Sequence, residues 1–212
     1  MSKNECLGVQ IPTRMLKLPR DHRGFPYPWN LTGGKDGKQI FTANDQQKHI
    51  VAITFELCPL CGEPQEAVRW FVGGPSVFLP NRAYLDLPGH QDCIEFALRV
   101  CPYLATPNYM GVLNKPDAIA HISKRMPEPE PGYILRVVDP SSAVPDRPDI
   151  FVSPASKGWH IHPGPSGMLC VTPTRPLVGI QFWRHGQRLT YDEATPIVRR
   201  AINLPEWTVS LL

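Results

Sequence analysis

The spacing of hydrophobic and polar positions changes several times along the chain, and each change marks an element. Residues 1–15 carry little periodicity and are expected to form a flexible N-terminus. In LKLPRDHRGFPYPW, residues 16–29, three prolines sit among two arginines, an Asp-His pair and three aromatics. Proline fixes the local backbone, so this stretch predicts an ordered, extended arm rather than a helix. Asp36-Gly37, between LTGGK and KQIFTA, is a tight-turn signal and predicts a hairpin. The run QQKHIVAITFEL fits two periods. Val51, Ile53, Phe55 and Leu57 alternate as in a strand, while Ile50, Ile53 and Leu57 make a helical stripe. A cap from Asn44 or Asp45 and a polar first turn favour the helix. RWFVGGPSVF has two apolar runs flanking Gly73-Gly74 and predicts a second hairpin. Beyond Gly89, Ile94, Ala97, Leu98 and Cys101 recur at i, i+3, i+4 and i+7, which predicts a helix.

The pattern then breaks. Six prolines fall within residues 126–148, which predicts a Pro-rich connection, with GYILRVVD inside it as one strand. From residue 149 to 212 the chain is β-rich: DIFVS, GWHIH, GMLCVT and PLVGIQFW are short runs separated by Pro and Gly. The tail returns to a helical period. Thr190 to Glu193 offers a capping box, and Thr195-Pro196 a rival start, for a helix whose face would hold Ile197, Ala201 and Leu204. Residues 16–125 therefore form an N-terminal part and 149–212 a C-terminal part, in an α+β fold.

Composition narrows the class. The 212 residues, 42% hydrophobic and 19% charged, suit a globular chain able to bury roughly 70% of the surface its unfolded form exposes. No apolar run is long enough for a membrane span. A net charge of +3 neither demands nor forbids nucleic acid as a partner. The outlier is proline, at 25 residues, which predicts short elements and stiff connections.

The most specific chemistry lies in two short motifs. Cys58 and Cys61 occur in CPLCG and, after 28 intervening residues, His90 and Cys93 in GHQDC. Three thiolates and one imidazole are the closed tetrahedral set that Zn²⁺ takes in structural sites. Pro59 and Gly62 suit a tight knuckle, and the second pair falls at a helix start, where the dipole favours a thiolate. Knuckle, hairpin and ligand-bearing helix, in that order, resemble a treble-clef zinc finger over residues 56–104. The competing readings are buried free thiols, and Cys101 as a ligand in place of His90. With 6 Cys and no secretory signal, a disulfide framework is not expected, and a reduced cytoplasmic setting is consistent with free thiols.

Secondary candidates are weaker. His160 and His162 would share one face of a strand and could converge on a metal or an anionic group. Asp21-His22, flanked by Arg20 and Arg23, combines a carboxylate with an imidazole, against the alternative of pinning the arm. No nucleophile elbow, P-loop, dinucleotide fingerprint or H-E-x-x-H motif occurs, so no catalytic residue is assigned.

LPRDHRGFPYPW, LCPLCG, FVGGP, NRAYLDLPGHQDCIEFALRVCPYL and WRHGQRLTYDEA together resemble a family of small uncharacterised proteins encoded in bacterial and phage genomes. The likeness covers most of residues 15–204, is densest over 56–104, and implies no activity. Three functions are therefore carried forward. The first is a non-enzymatic zinc-stabilised adaptor or inhibitor that binds a host protein. The second is a nucleic-acid binder using Arg69, Trp70, Arg82 and Arg99. The third is a metal-assisted nuclease or hydrolase with His90 as its active group.

Overall fold

The computed structural model describes residues 4–37, 39–78, 83–107, 148–163 and 169–203. It is a mixed helix and sheet fold that divides into two compact units. The first is built mainly on the stretch up to Gln65, the second on Glu66–Ala105 and the chain from Pro148 onward.

In the first unit, β1 (Glu5–Cys6) pairs antiparallel with β2 (Val9–Gln10), and a 3-10 turn follows at Thr13–Met15. Within the expected flexible stretch, Cys6, Ile11 and Met15 are buried, so residues 4–15 contribute apolar side chains to the core. The arm at 16–29 contains no helix among its residues, but it is not extended throughout. It doubles back in a loop closed by a bridge between Arg20 and Pro26. β3 (Leu31–Gly33) and β4 (Gln39–Asn44) form the expected hairpin, with Gly37 at φ +74° in its turn. The ambiguous run resolves as helix α1 (Gln46–Thr54), capped by Asp45, whose carboxylate accepts the Lys48 N–H at 3.1 Å. The helix ends when Glu56 turns into the left-handed region at φ +50° and the Leu57 N–H reaches back to the Ala52 carbonyl at 2.8 Å. That six-to-one bond is the Schellman stop. It delivers the chain directly to Cys58.

In the second unit, β5 (Arg69–Trp70), β6 (Phe151–Ser156), β9 (Gly179–Arg184) and β10 (Gln187–Leu189) form an antiparallel sheet in the order β10-β9-β6-β5. Glu66–Ala105 groups with the C-terminal strands because β5 hydrogen-bonds to β6. β6 runs through Pro154, whose carbonyl accepts the Phe71 N–H, so the missing proline N–H does not end the strand. β7 (Trp159–Pro163) and β8 (Leu169–Pro173) make a separate antiparallel ribbon, and Tyr84 bridges to Val171 of β8.

The hairpin expected at Gly73-Gly74 is absent. Trp70 pairs instead with Ala155 and, through two 2.9 Å bonds, with Gly89, while Pro75–Phe78 form a 3-10 turn. The reason is local crowding. A Cβ on Gly73 would lie 2.7 Å from Val77 and 2.9 Å from Tyr84, so the glycine admits neighbours against its backbone rather than forming a two-residue turn.

Helix α2 (Gln91–Val100) is followed by the short α3 (Pro102–Ala105), and α4 (Tyr191–Ile202) closes the unit. The capping box at Thr190 and Glu193 is complete, and Pro196 lies inside α4, so the rival start at Thr195-Pro196 is not used. Ala194 and Val198 are the buried residues of α4, where they pack with Ile150, Val152 and Phe182. Ile197 joins that cluster at its edge, but Ala201 is exposed. The Pro-rich connection except Pro148, the strand expected at GYILRVVD, Arg82 and Leu204 lie outside the described residues.

Candidate metal centre

Cys58 and Cys61 are held by a knuckle that the sequence closes on itself. The Gly62 N–H donates to the Cys58 carbonyl at 2.8 Å, the Cys58 N–H to the Glu63 carbonyl at 2.8 Å, and Leu57 bridges to Pro64. Gly62 has φ +77°, and a Cβ there would meet the Trp29 ring at 2.6 Å. Glycine is thus required twice, by the backbone and by the indole laid against it. Trp29 and Asn30 also donate their backbone N–H groups to the carbonyls of Leu60 and Pro59, each at 3.0 Å. The arm of residues 16–29 therefore continues into a clamp on the knuckle. Lys17 pairs with Glu63 at 2.6 Å, and the Gln65 side chain donates to the Leu57 carbonyl at 3.1 Å.

The second pair is positioned by α2. His90 is the N-cap residue in extended conformation, and its side chain makes no capping bond. Its approach is fixed by the paired Gly89 and Trp70 backbones. Cys93 is the third residue of α2, where the first-turn N–H groups and the helix dipole stabilise a thiolate. The helix is anchored by a polar chain that carries no local signal in the sequence. The Trp183 indole donates to Gln181 at 3.0 Å, Gln181 donates to the Glu95 carboxylate at 2.8 Å, and Gln91 donates to the same oxygen at 2.9 Å. Arg99 lies over the Trp183 ring at 5.6 Å.

The four ligand atoms of Cys58, Cys61, His90 and Cys93 all lie within 4.8 Å of one another. Ligands about 2.0–2.3 Å from a common tetrahedral centre sit on the order of 3.5 Å apart, so the set could hold a metal ion after small adjustments. All four residues are buried, at 0%, 2%, 1% and 0% exposure respectively. Thiolate and imidazole donors suit zinc over the hard cations Mg²⁺ and Ca²⁺. Cys101 is not in the group. It is the C-cap of α2, at the far end of the helix from His90.

The other candidates fall elsewhere. Asp21 spends both carboxylate oxygens within its loop. One accepts the Arg23 and Phe25 N–H groups at 2.9 and 3.0 Å, and the other accepts Arg23 Nε at 2.7 Å. Burial pushes its carboxyl up, but the Arg23 side chain and the two backbone donors outweigh that and hold it below the usual carboxylate range. This is the pinning role. Arg69 donates to the Lys157 carbonyl at 2.6 Å. His160 and His162 stand together on exposed β7, with ring centroids 6.4 Å apart.

Comparison of the chain with protein families, curated proteins and solved structures finds no match to any of them. Among the described residues no helix is long and apolar enough to cross a membrane.

Proposed function

We propose that the protein is a non-enzymatic, zinc-stabilised adaptor or inhibitor that binds a host protein in the cytoplasm and is encoded by a phage or mobile element. The observation that carries the non-enzymatic part is the completeness and burial of the ligand set. A catalytic zinc keeps one position open for water or substrate. Here a fourth protein ligand would fill it, and nothing in the set faces solvent. The zinc module would follow a treble-clef-like plan: its knuckle and ligand-bearing helix remain, and the paired Trp70 and Gly89 backbones stand where a tight hairpin was expected.

The binding part draws support from α1. Ala52 is the buried residue of that helix, whereas Ile50, Val51 and the following Phe55 are exposed at 46%, 37% and 67%. Isolated exposed apolar residues are ordinary, but three on one short helix and its end suit a protein partner. The nucleic-acid alternative is weakened by the use of Arg69 and Arg99 in contacts within the second unit. The test is affinity purification from a phage-infected host of the wild type and of an Ile50→Asp/Phe55→Asp variant, each with its metal content measured. One stoichiometric host protein, lost in the variant while zinc and melting temperature are kept, is the expected outcome. Salt-dependent binding of DNA or RNA, or metal-dependent hydrolysis of either, would replace this reading.

A further inference from the structure

We propose that His160 and His162 form a second, solvent-accessible site for a divalent transition-metal ion, built on β7 and independent of the buried centre. β7 is exposed from His160 to Pro163, whereas a strand on a packed ribbon ordinarily buries alternate positions. Residues two apart in a strand point to the same side, and the two imidazoles stand 6.4 Å apart, centroid to centroid, with their planes at 61°. Metal–nitrogen bonds of about 2.0–2.1 Å put two rings that share one ion on the order of 5–6.5 Å apart, so small side-chain rotations close the chelate.

Both rings are available. Neither has a hydrogen bond or ion pair among the described residues, and each ring stands against the other. Directly across the ribbon from them stand Thr172 and Cys170. The backbone beneath is fixed, because β7 and β8 stay in register from Trp159–Pro173 to Pro163–Leu169. Two imidazoles on a rigid strand therefore meet an ion with their separation already set, which raises the effective concentration of the second ligand once the first has bound.

The donor set defines the ligand class. Two neutral imidazole nitrogens select borderline transition metals, Cu²⁺ above Ni²⁺ and Zn²⁺, over Mg²⁺ and Ca²⁺. The remaining coordination positions face solvent and would be taken by water, by a small anion or by a donor from another molecule. The buried Cys/His centre is closed, whereas this site would be open and exchangeable.

The test is Ni²⁺ titration of the full-length, zinc-loaded protein by calorimetry, with the histidine ring resonances followed by NMR. We expect one Ni²⁺ beyond the resident zinc, with the His160 and His162 signals broadened first. His160→Ala and His162→Ala should each weaken binding by about tenfold or more, and the double variant should abolish it. His185→Ala should leave it unchanged. Equal Ni²⁺ affinity in the wild type and the double variant would overturn the proposal, as would a single variant that binds as tightly as the wild type. Because the substitutions lie on an exposed strand, unchanged zinc content and melting temperature serve as the control that the fold is intact.

Discussion

Gly62 and Asp21 each carry a constraint that their neighbours impose. At Gly62, a methyl group would strain a left-handed backbone and collide with Trp29. Gly62→Ala should therefore cost about 2–4 kcal/mol in denaturant unfolding and loosen the metal site, since conformational strain and overpacking act together. At Asp21, the lowered carboxyl pKa fixes the sign of a pH effect. The folded state favours the charged form, so the contribution is present above the unfolded carboxylate pKa of about 3.9 and is lost as pH falls through the folded value. The stability difference between wild type and Asp21→Asn should accordingly be largest near neutral pH and shrink in acid. A constant difference down to acid pH would contradict it. CPLCG and GHQDC exposed the four ligand candidates because few other roles need those residue types at that spacing. Trp29 gave no such signal, because its contact with Gly62 spans more than thirty positions that no local period records.

Among the elements, those with strong chemical punctuation were readable. The β3-β4 hairpin announces itself through Asp36-Gly37, and α4 through the Thr190-Glu193 capping box. In that box the Glu193 carboxylate accepts the Thr190 N–H at 2.7 Å, and the Glu193 N–H donates to the Thr190 hydroxyl at 3.3 Å. Thr190→Ala removes the second bond, and the expected loss is about 1 kcal/mol, visible as a fall of a few degrees in melting temperature. Elements placed by tertiary partners were harder to read. α1 is two-valued in sequence because Ile50 and Val51 face solvent and only Ala52 is fully buried, so neither a strand nor a helix period dominates. The run around Gly73-Gly74 is not legible locally, because its strand partners, Ala155 and Gly89, are distant in sequence, and a pair of glycines signals close approach as readily as a turn. The chain Trp183–Gln181–Glu95 was invisible for the same reason. Glu95→Ala would leave Gln181 with an unpaired buried amide, and such a group costs about 1–3 kcal/mol.

Among the described residues the strands are short and the helices run to twelve residues or fewer, and the chain carries 25 prolines. Such a chain would gain from an ion held by Cys58, Cys61, His90 and Cys93, which come from segments separated by 28 residues. Structural zinc contributes on the order of 10 kcal/mol or more to folding at neutral pH. Cys58→Ser and Cys93→Ser should each release the metal and unfold the region around it. On the proposed reading His90→Ala should act first on stability; loss of a hydrolytic turnover with the fold intact would contradict it. X-ray absorption at the zinc edge on freshly purified protein would read both the proposed ion and its ligands. One zinc per chain, with three sulfurs at about 2.3 Å and one nitrogen at about 2.0 Å, is the predicted result. Protein that is folded yet free of stoichiometric zinc, or zinc surrounded only by nitrogen and oxygen, would contradict it.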